Sequence, residues 1–316
     1  MVAIKKRSSR KSWVNIFKEQ WQLHLLMLLP VIYILIFAYY PMFGLQIAFK
    51  DFKATAGIWS SKWVGFKHFS TFFHSYMFKR VIINTLRISI YSIATGFPLP
   101  IIFALILNTM RGMRIKKFVQ TVTYMPHFIS TVVMVGLLMQ ILSPVTGLYG
   151  GLYRLLTNGM YPSDIFGQPK AFIHLYVWSD VWQSLGWNSI IYLAALSGID
   201  PQLHEAAQID GATRFQRMIH IELPGILPTA AVLLIMRFGS VMNVGFEKVY
   251  LMQNSLNQSY SEVISTYVYK VGMQAGSNNF SYATAIGLFN SVINCILLVL
   301  VNQLSRKLSD SEASLW

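Results

Sequence analysis

Six long apolar stretches alternate with shorter polar connections along this chain, at residues 24–43, 84–108, 119–142, 171–198, 223–244 and 282–304. Each approaches the roughly 20 consecutive residues that an α-helix needs to cross a bilayer. The pattern therefore predicts an all-α integral membrane protein with six transmembrane helices in one domain over 19–308, between a basic tail at 1–18 and a short tail at 309–316. The first span begins only after the charged tail and carries Pro30 and Pro41 around a bulky core, which favours a retained helix over a cleaved signal peptide. Pro98 and Pro100 in the second span and Pro126 in the third lack the N–H that a helix interior needs, and predict kinks or local unwinding.

Between the fourth and fifth spans lies a polar, helix-forming island, residues 200–222. Asp200 followed by Pro201 reads as a helix start, because the carboxylate caps free amides and proline at the first helical position has none to waste. A helix is expected over 201–209, a turn at Gly211 through positive φ, and a second helical segment over 212–220. Leu203, Ala207 and Phe215 form a small apolar surface ringed by Glu205, Arg214 and Arg217. Such a knob suits a groove on another protein. The alternative is an amphipathic element lying on lipid headgroups.

Composition supports the membrane reading. The chain is 54% hydrophobic and only 12% charged, with a mean hydropathy of +0.47. With an even number of spans, both termini, the connection after span 2 and the island share one side. That side holds 14 Lys and Arg against 10 in the opposite loops, with Arg111, Arg114, Lys116 and Lys117 packed into one short connection. Short basic connections stay inside, so both termini and the island are expected in the cytoplasm. The net charge of +14 is distributed along the flanks of spans and forms no continuous patch, which argues against nucleic acid.

Catalytic chemistry finds no footing. There is no G-x-x-x-x-G-K-[ST] loop to cradle a nucleotide and no G-x-S-x-G elbow. The seven histidines show no metal-ligand spacing, and Cys295 is single and lies within the last span. The expectation is a chain with no enzyme activity, no metal and no cofactor of its own.

Polar side chains inside the spans are the candidates for a transport pathway. If span 5 begins near Pro224, Arg237 lies roughly 20 Å into a hydrocarbon layer about 30 Å thick. An arginine there costs about 2.5–3.5 kcal/mol and must face protein or water. Ser240, Asn243 and Glu247 follow it, and Asp180, Gln183, Trp187 and Asn188 form a polar stripe on span 4. Sugars offer hydroxyls to such amides and CH faces to such rings, and an anionic sugar suits the arginine. The structural alternative ties Arg237 to Asp180 or to helix carbonyls. Trp178 and Trp182 are expected in the interfacial belt, and Asn290 and Asn294, one turn apart, in hydrogen bonds between helices.

The island reads EAAQIDGATRFQRMIHIELPGILP from Glu205 to Pro228. It resembles the signature loop of ATP-binding-cassette (ABC) importer permeases, in which Glu-Ala-Ala is followed at fixed spacing by Gly and by Ile-x-Leu-Pro. Glu205, Ala206, Ala207, Gly211, Ile221, Leu223 and Pro224 fill those places. The segments LLMLLPVIY, YYPMFGLQIAFKDF, WVGFKHF, INTLRIS, GFPLPIIFALILN and YMPHFIS resemble further landmarks of the carbohydrate-uptake permeases of the polysaccharide and oligosaccharide subgroup, the alginate importers included.

The resemblance implies the type I ABC importer permease fold with a cytoplasmic coupling helix, in the bacterial cytoplasmic membrane. It implies a second permease subunit, two ATPase subunits that bind ATP and Mg, and an extracytoplasmic sugar-binding protein. It also implies that Glu205, Ala206, Ala207, Asp210, Gly211, Phe215, Met218, Ile221, Leu223 and Pro224 serve ATPase coupling, with Met218 in the ATPase groove where relatives place an aromatic residue. An ion-coupled secondary transporter and a nontransporting membrane scaffold are the alternatives.

Overall fold

The computed structural model describes residues 20–274 and 279–308. The expected tails at 1–18 and 309–316 lie outside them. Fifteen helices and one two-residue strand pair are used below. The first helix, α1 (Trp21–Phe49), is almost wholly apolar over its first two-thirds and buries nothing against the rest of the chain there. It leads into a small antiparallel ladder, β1 (Lys50–Asp51) with β2 (Lys62–Trp63), and then α2 (Lys67–His74).

The second span is α3 (Tyr76–Gly96) followed by α4 (Pro98–Thr109), interrupted only at Phe97. Pro98 and Pro100 thus start a new helix, where a missing N–H costs least. The span begins eight residues before the expected boundary, because Ser75 caps α3 by accepting from the Met77 amide at 3.1 Å.

The third span departs most from expectation. In place of one helix over 119–142 there are α5 (Met113–Tyr124) with a 3₁₀ turn at Met125–Phe128, then α6 (Thr131–Ile141), bent by 100°. Pro126 starts the break and Ser130 caps α6 by accepting from Val133 N at 3.4 Å. The connection to the fourth span carries α7 (Leu148–Leu156).

Helix α8 (Pro169–Ser197) is 29 residues long and packs along α3 and α4. The signature segment follows as α9 (Pro201–Ile209) and α10 (Arg214–Arg217). A π turn, Met218–Glu222, joins it to α11 (Leu223–Gly239). After α11 come α12 (Phe246–Met252), α13 (Gln258–Ser261) and α14 (Ile264–Met273), and the chain closes with α15 (Phe280–Leu308) along α11 and α14. Span 5 therefore ends at Gly239 and not at 244, because Ser240–Asn243 is a turn.

Among the described residues four helices are long and apolar enough to cross a membrane, and the bent pair makes a fifth if its two halves form one broken span and not a re-entrant loop. Helix α8 has the length but is diluted by Asp180, Gln183, Asn188 and its serines. One buried cluster joins α4, α8 and α11 through Ala104, Leu105, Tyr192, Leu196, Ile226 and Ala230. Two others fill the opposite half, around Phe172, Val177 and Met252 and around Phe72, Val81 and Ile286.

Candidate functional site

The signature segment is built by local chemistry. Asp200 Oδ1 accepts from the Gln202 amide at 2.9 Å and starts α9. At its end the Ala212 amide donates to Ala207 O at 2.8 Å and the Gly211 amide to Gln208 O at 3.1 Å. This paired closure needs a left-handed residue between the two carbonyls' helix and the next segment, and Gly211 supplies φ +78°. Thr213 and Gln216 then form a reciprocal capping box: the Thr213 amide donates to Gln216 Oε1 at 2.7 Å and the Gln216 amide to Thr213 Oγ1 at 3.3 Å. The spacing T-x-x-Q announces that box in the sequence, and the expectation above did not use it.

Glu205, Ala206, Asp210 and Phe215 are exposed, as are Leu203 and Ile209, so the helix-turn-helix presents an open, partly apolar face. Ala207 and Ile221 are half-buried and Pro224 is exposed in the first turn of α11. Met218 and Leu223, both half-buried, pack against the cluster of α4, α8 and α11.

The polar stripe of α8 meets the end of α11 at a cavity of about 440 Å³. Trp187, Asn188, Arg237 and Ser240 line it together with Gly96, Pro100, Ile191, Tyr192, Leu233 and Met236. Arg237 lies in the last turn of α11, where unsatisfied carbonyls favour a cation. Its Nη1 sits 3.5 Å from the position a Cβ would occupy on Gly96, an ordinary contact that places the guanidinium beside the end of α3. Arg237 forms no ion pair and no side-chain hydrogen bond among the described residues.

Asp180 shares a narrow crevice beside this cavity with Ser184, Asn188 and Arg237. Its ion-pair partner is Lys248, at 3.5 Å from Oδ1, and Lys248 also stands 4.7 Å over the Tyr176 ring. The alternative that tied Arg237 to Asp180 is thus not formed, and Asp180 is linked to α12 instead. Lys248 is buried, a cation the sequence reading passed over inside FEKVYLM.

Other expected pathway residues have structural partners. Gln183 Nε2 donates to Ile129 O at 2.7 Å and so satisfies a carbonyl freed by the bend between α5 and α6. One face of Trp187 is stacked on His127, with centroids 4.4 Å apart and planes 7° apart, and Phe128 meets its edge at 5.8 Å. Asn243 lies beyond the end of α11, and its Oδ1 accepts from Asn290 at 2.8 Å and Asn294 at 3.1 Å. The expectation of interhelical bonding for those two asparagines holds, and it removes Asn243 from the cavity wall. Glu247 is exposed in the first turn of α12 and does not line the cavity. Trp178 is exposed, and its indole donates to Tyr91 Oη of α3 at 2.8 Å.

Asn243→Leu strands both amide donors. It is expected to lower thermal stability in detergent by on the order of 1 kcal/mol, as for other polar contacts between membrane helices. An unchanged unfolding midpoint would contradict this role.

Residues 96–310 match the family described as the binding-protein-dependent transport system inner membrane component. Protein LplB of Bacillus subtilis (strain 168) is 42% identical over 296 residues, covering 94% of this chain and 92% of that protein. The polygalacturonan/rhamnogalacturonan transport system permease protein YteP of the same organism is 40% identical over 309 residues, covering 98% and 95%. Among solved structures, a chain of a bacterial ABC transporter involved in the import of the acidic polysaccharide alginate superposes with a TM-score of 0.85. It is 40% identical and covers 93% of this chain and 98% of its own. A second structure of the bacterial alginate ABC transporter, in complex with an alginate pentasaccharide-bound periplasmic protein, gives 0.84 at 39% identity.

Proposed function

Because the chain belongs to the family of binding-protein-dependent transport system inner membrane components, and is an ABC permease subunit for sugar import, we propose that it forms half of an ATP-driven pathway for acidic oligosaccharide or polysaccharide chains. Transport proceeds by alternating access across the bacterial inner membrane. A second permease subunit of different sequence, two ATPases that bind ATP and Mg, and an extracytoplasmic sugar-binding protein complete the assembly.

The observation that carries the acidic cargo is Arg237. Its guanidinium faces a cavity whose other polar walls are Asn188 and Ser240, and Asp180 is already held by Lys248. A sugar carboxylate would supply the missing anion, the hydroxyls would meet the amide and the serine, and the exposed part of Trp187 would meet a CH face. One relative is named for polygalacturonan/rhamnogalacturonan transport and one solved neighbour for import of the acidic polysaccharide alginate, which agrees with that charge. The basic connection at Arg111–Lys117 supports a cytoplasmic signature segment, whose exposed Phe215 and Ile209 suit an ATPase groove. The unburied start of α1 suits lipid and the second permease subunit.

The test is ATP hydrolysis and uptake by the reconstituted complex with its binding protein, across neutral and acidic oligosaccharides. Arg237→Gln is expected to reduce stimulation by acidic sugars roughly 10- to 100-fold, the range of a lost charged hydrogen bond, while basal hydrolysis persists. Equal stimulation of wild type and variant by uronate oligomers would defeat the acidic-cargo reading.

A further inference from the structure

Glu222 is a carboxylate buried to 6% exposure at the junction between the signature segment and α11, as the last residue of the π turn. Burying such a group is costly unless it is fully paired. Yet only one oxygen is satisfied: Oε1 accepts from Asn108 Nδ2 at 3.1 Å, at the end of α4, while Oε2 is buried without a hydrogen-bond partner. Five residues earlier, at the end of α10 and just before the same turn, Arg217 Nε is also buried without an acceptor. An unused acceptor and an unused donor thus flank one π turn, a local geometry frequent at functional sites.

We infer that Glu222 is a positioning residue for coupling. Its carboxylate latches the base of α11 to α4 through Asn108, and its second oxygen receives Arg217 when the signature segment moves. This rests on the importer reading above. The latch gives motion at the segment a path into the second span as well as the fifth, both of which wall the cavity.

The test uses the assembled transporter with its ATPases and sugar-loaded binding protein, and reads subunit content, basal ATP hydrolysis, stimulated hydrolysis and uptake per ATP. Asn108→Asp sets two carboxylates together and is expected to lower stimulation on the order of tenfold, within the usual range of coupling between sites, with basal hydrolysis retained. Combining it with Glu222→Gln reverses donor and acceptor, and is expected to restore stimulation to within about twofold of wild type. Asn108→Ala, which adds no charge, is expected to lower uptake per ATP and serves if Asn108→Asp fails to assemble. Wild-type coupling in Asn108→Asp or Asn108→Ala, or a double variant no better than Asn108→Asp, overturns the latch. A wild-type complex that no sugar stimulates removes the importer reading and the latch with it.

Discussion

Gly211→Pro is expected to reduce ATP-dependent uptake by on the order of a hundredfold, since proline at a position it cannot adopt costs about 3 kcal/mol or more. Gly211 has φ +78°, whereas proline is held near −65°, and its amide donates to Gln208 O. The substitution therefore redirects α10 relative to α9. Space is not the issue, because a Cβ on Gly211 would meet nothing within 4 Å. That separates conformation from contact. Gly211→Ala bears only the left-handed penalty, about 1–2 kcal/mol, and Gly211→Asn less, since asparagine visits that region more readily. The expected order of uptake in proteoliposomes is wild type, Asn, Ala, Pro. Asparagine falling below alanine would show that bulk against a partner matters more than the turn, and full uptake with proline would remove the turn from coupling altogether.

Gly186→Leu is expected to cut recovery of assembled complex more than about tenfold. A Cβ there would run into the Thr123 backbone and stand 2.8 Å from Tyr124 Cδ1, so the neighbouring backbone has to move. Overpacking commonly costs about 1–3 kcal/mol even where side chains give way. Gly186→Ala is expected to lower stability by that amount, read as a lower unfolding midpoint. Gly136→Ala is the control, because it lies within α6 with nothing within 4 Å, and alanine is the better helix former by about 1 kcal/mol. Fluorescence-detected size exclusion after a temperature ramp reads all three. Equal stability of Gly186→Ala and Gly136→Ala would refute the close crossing of α5 and α8.

The sequence disclosed what depends on neighbours along the chain. The spans, the Asp200 cap, the α9 helix and the positive φ at Gly211 all follow from composition and short-range backbone rules. What stayed hidden depends on partners far away. Pro126 marked a weak point in span 3, but a 100° bend also needs the Gln183 amide 54 residues on to satisfy Ile129, and Trp187 to cover His127. The end of span 5 was misplaced because hydropathy does not register a turn whose polar group is met by Asn290 and Asn294. Asp180 was matched to the nearest conspicuous cation, Arg237, while the fold gives it Lys248. Half of the eight pathway candidates, Trp187, Asn188, Arg237 and Ser240, do meet at one cavity.

The bend in the third span also bears on how the chain is made. Helices α5 and α6 have 12 and 11 residues, so each is less than about 20 Å long and neither crosses a hydrocarbon layer of about 30 Å alone. Among the described residues the carbonyl at their elbow finds its donor in Gln183, which the ribosome delivers after both helices have emerged. An unsatisfied carbonyl in lipid costs several kcal/mol. The third span is therefore expected to settle into the bilayer only together with the fourth, as one unit of insertion, so that a nascent chain stopped before Gln183 leaves it open to alkaline extraction.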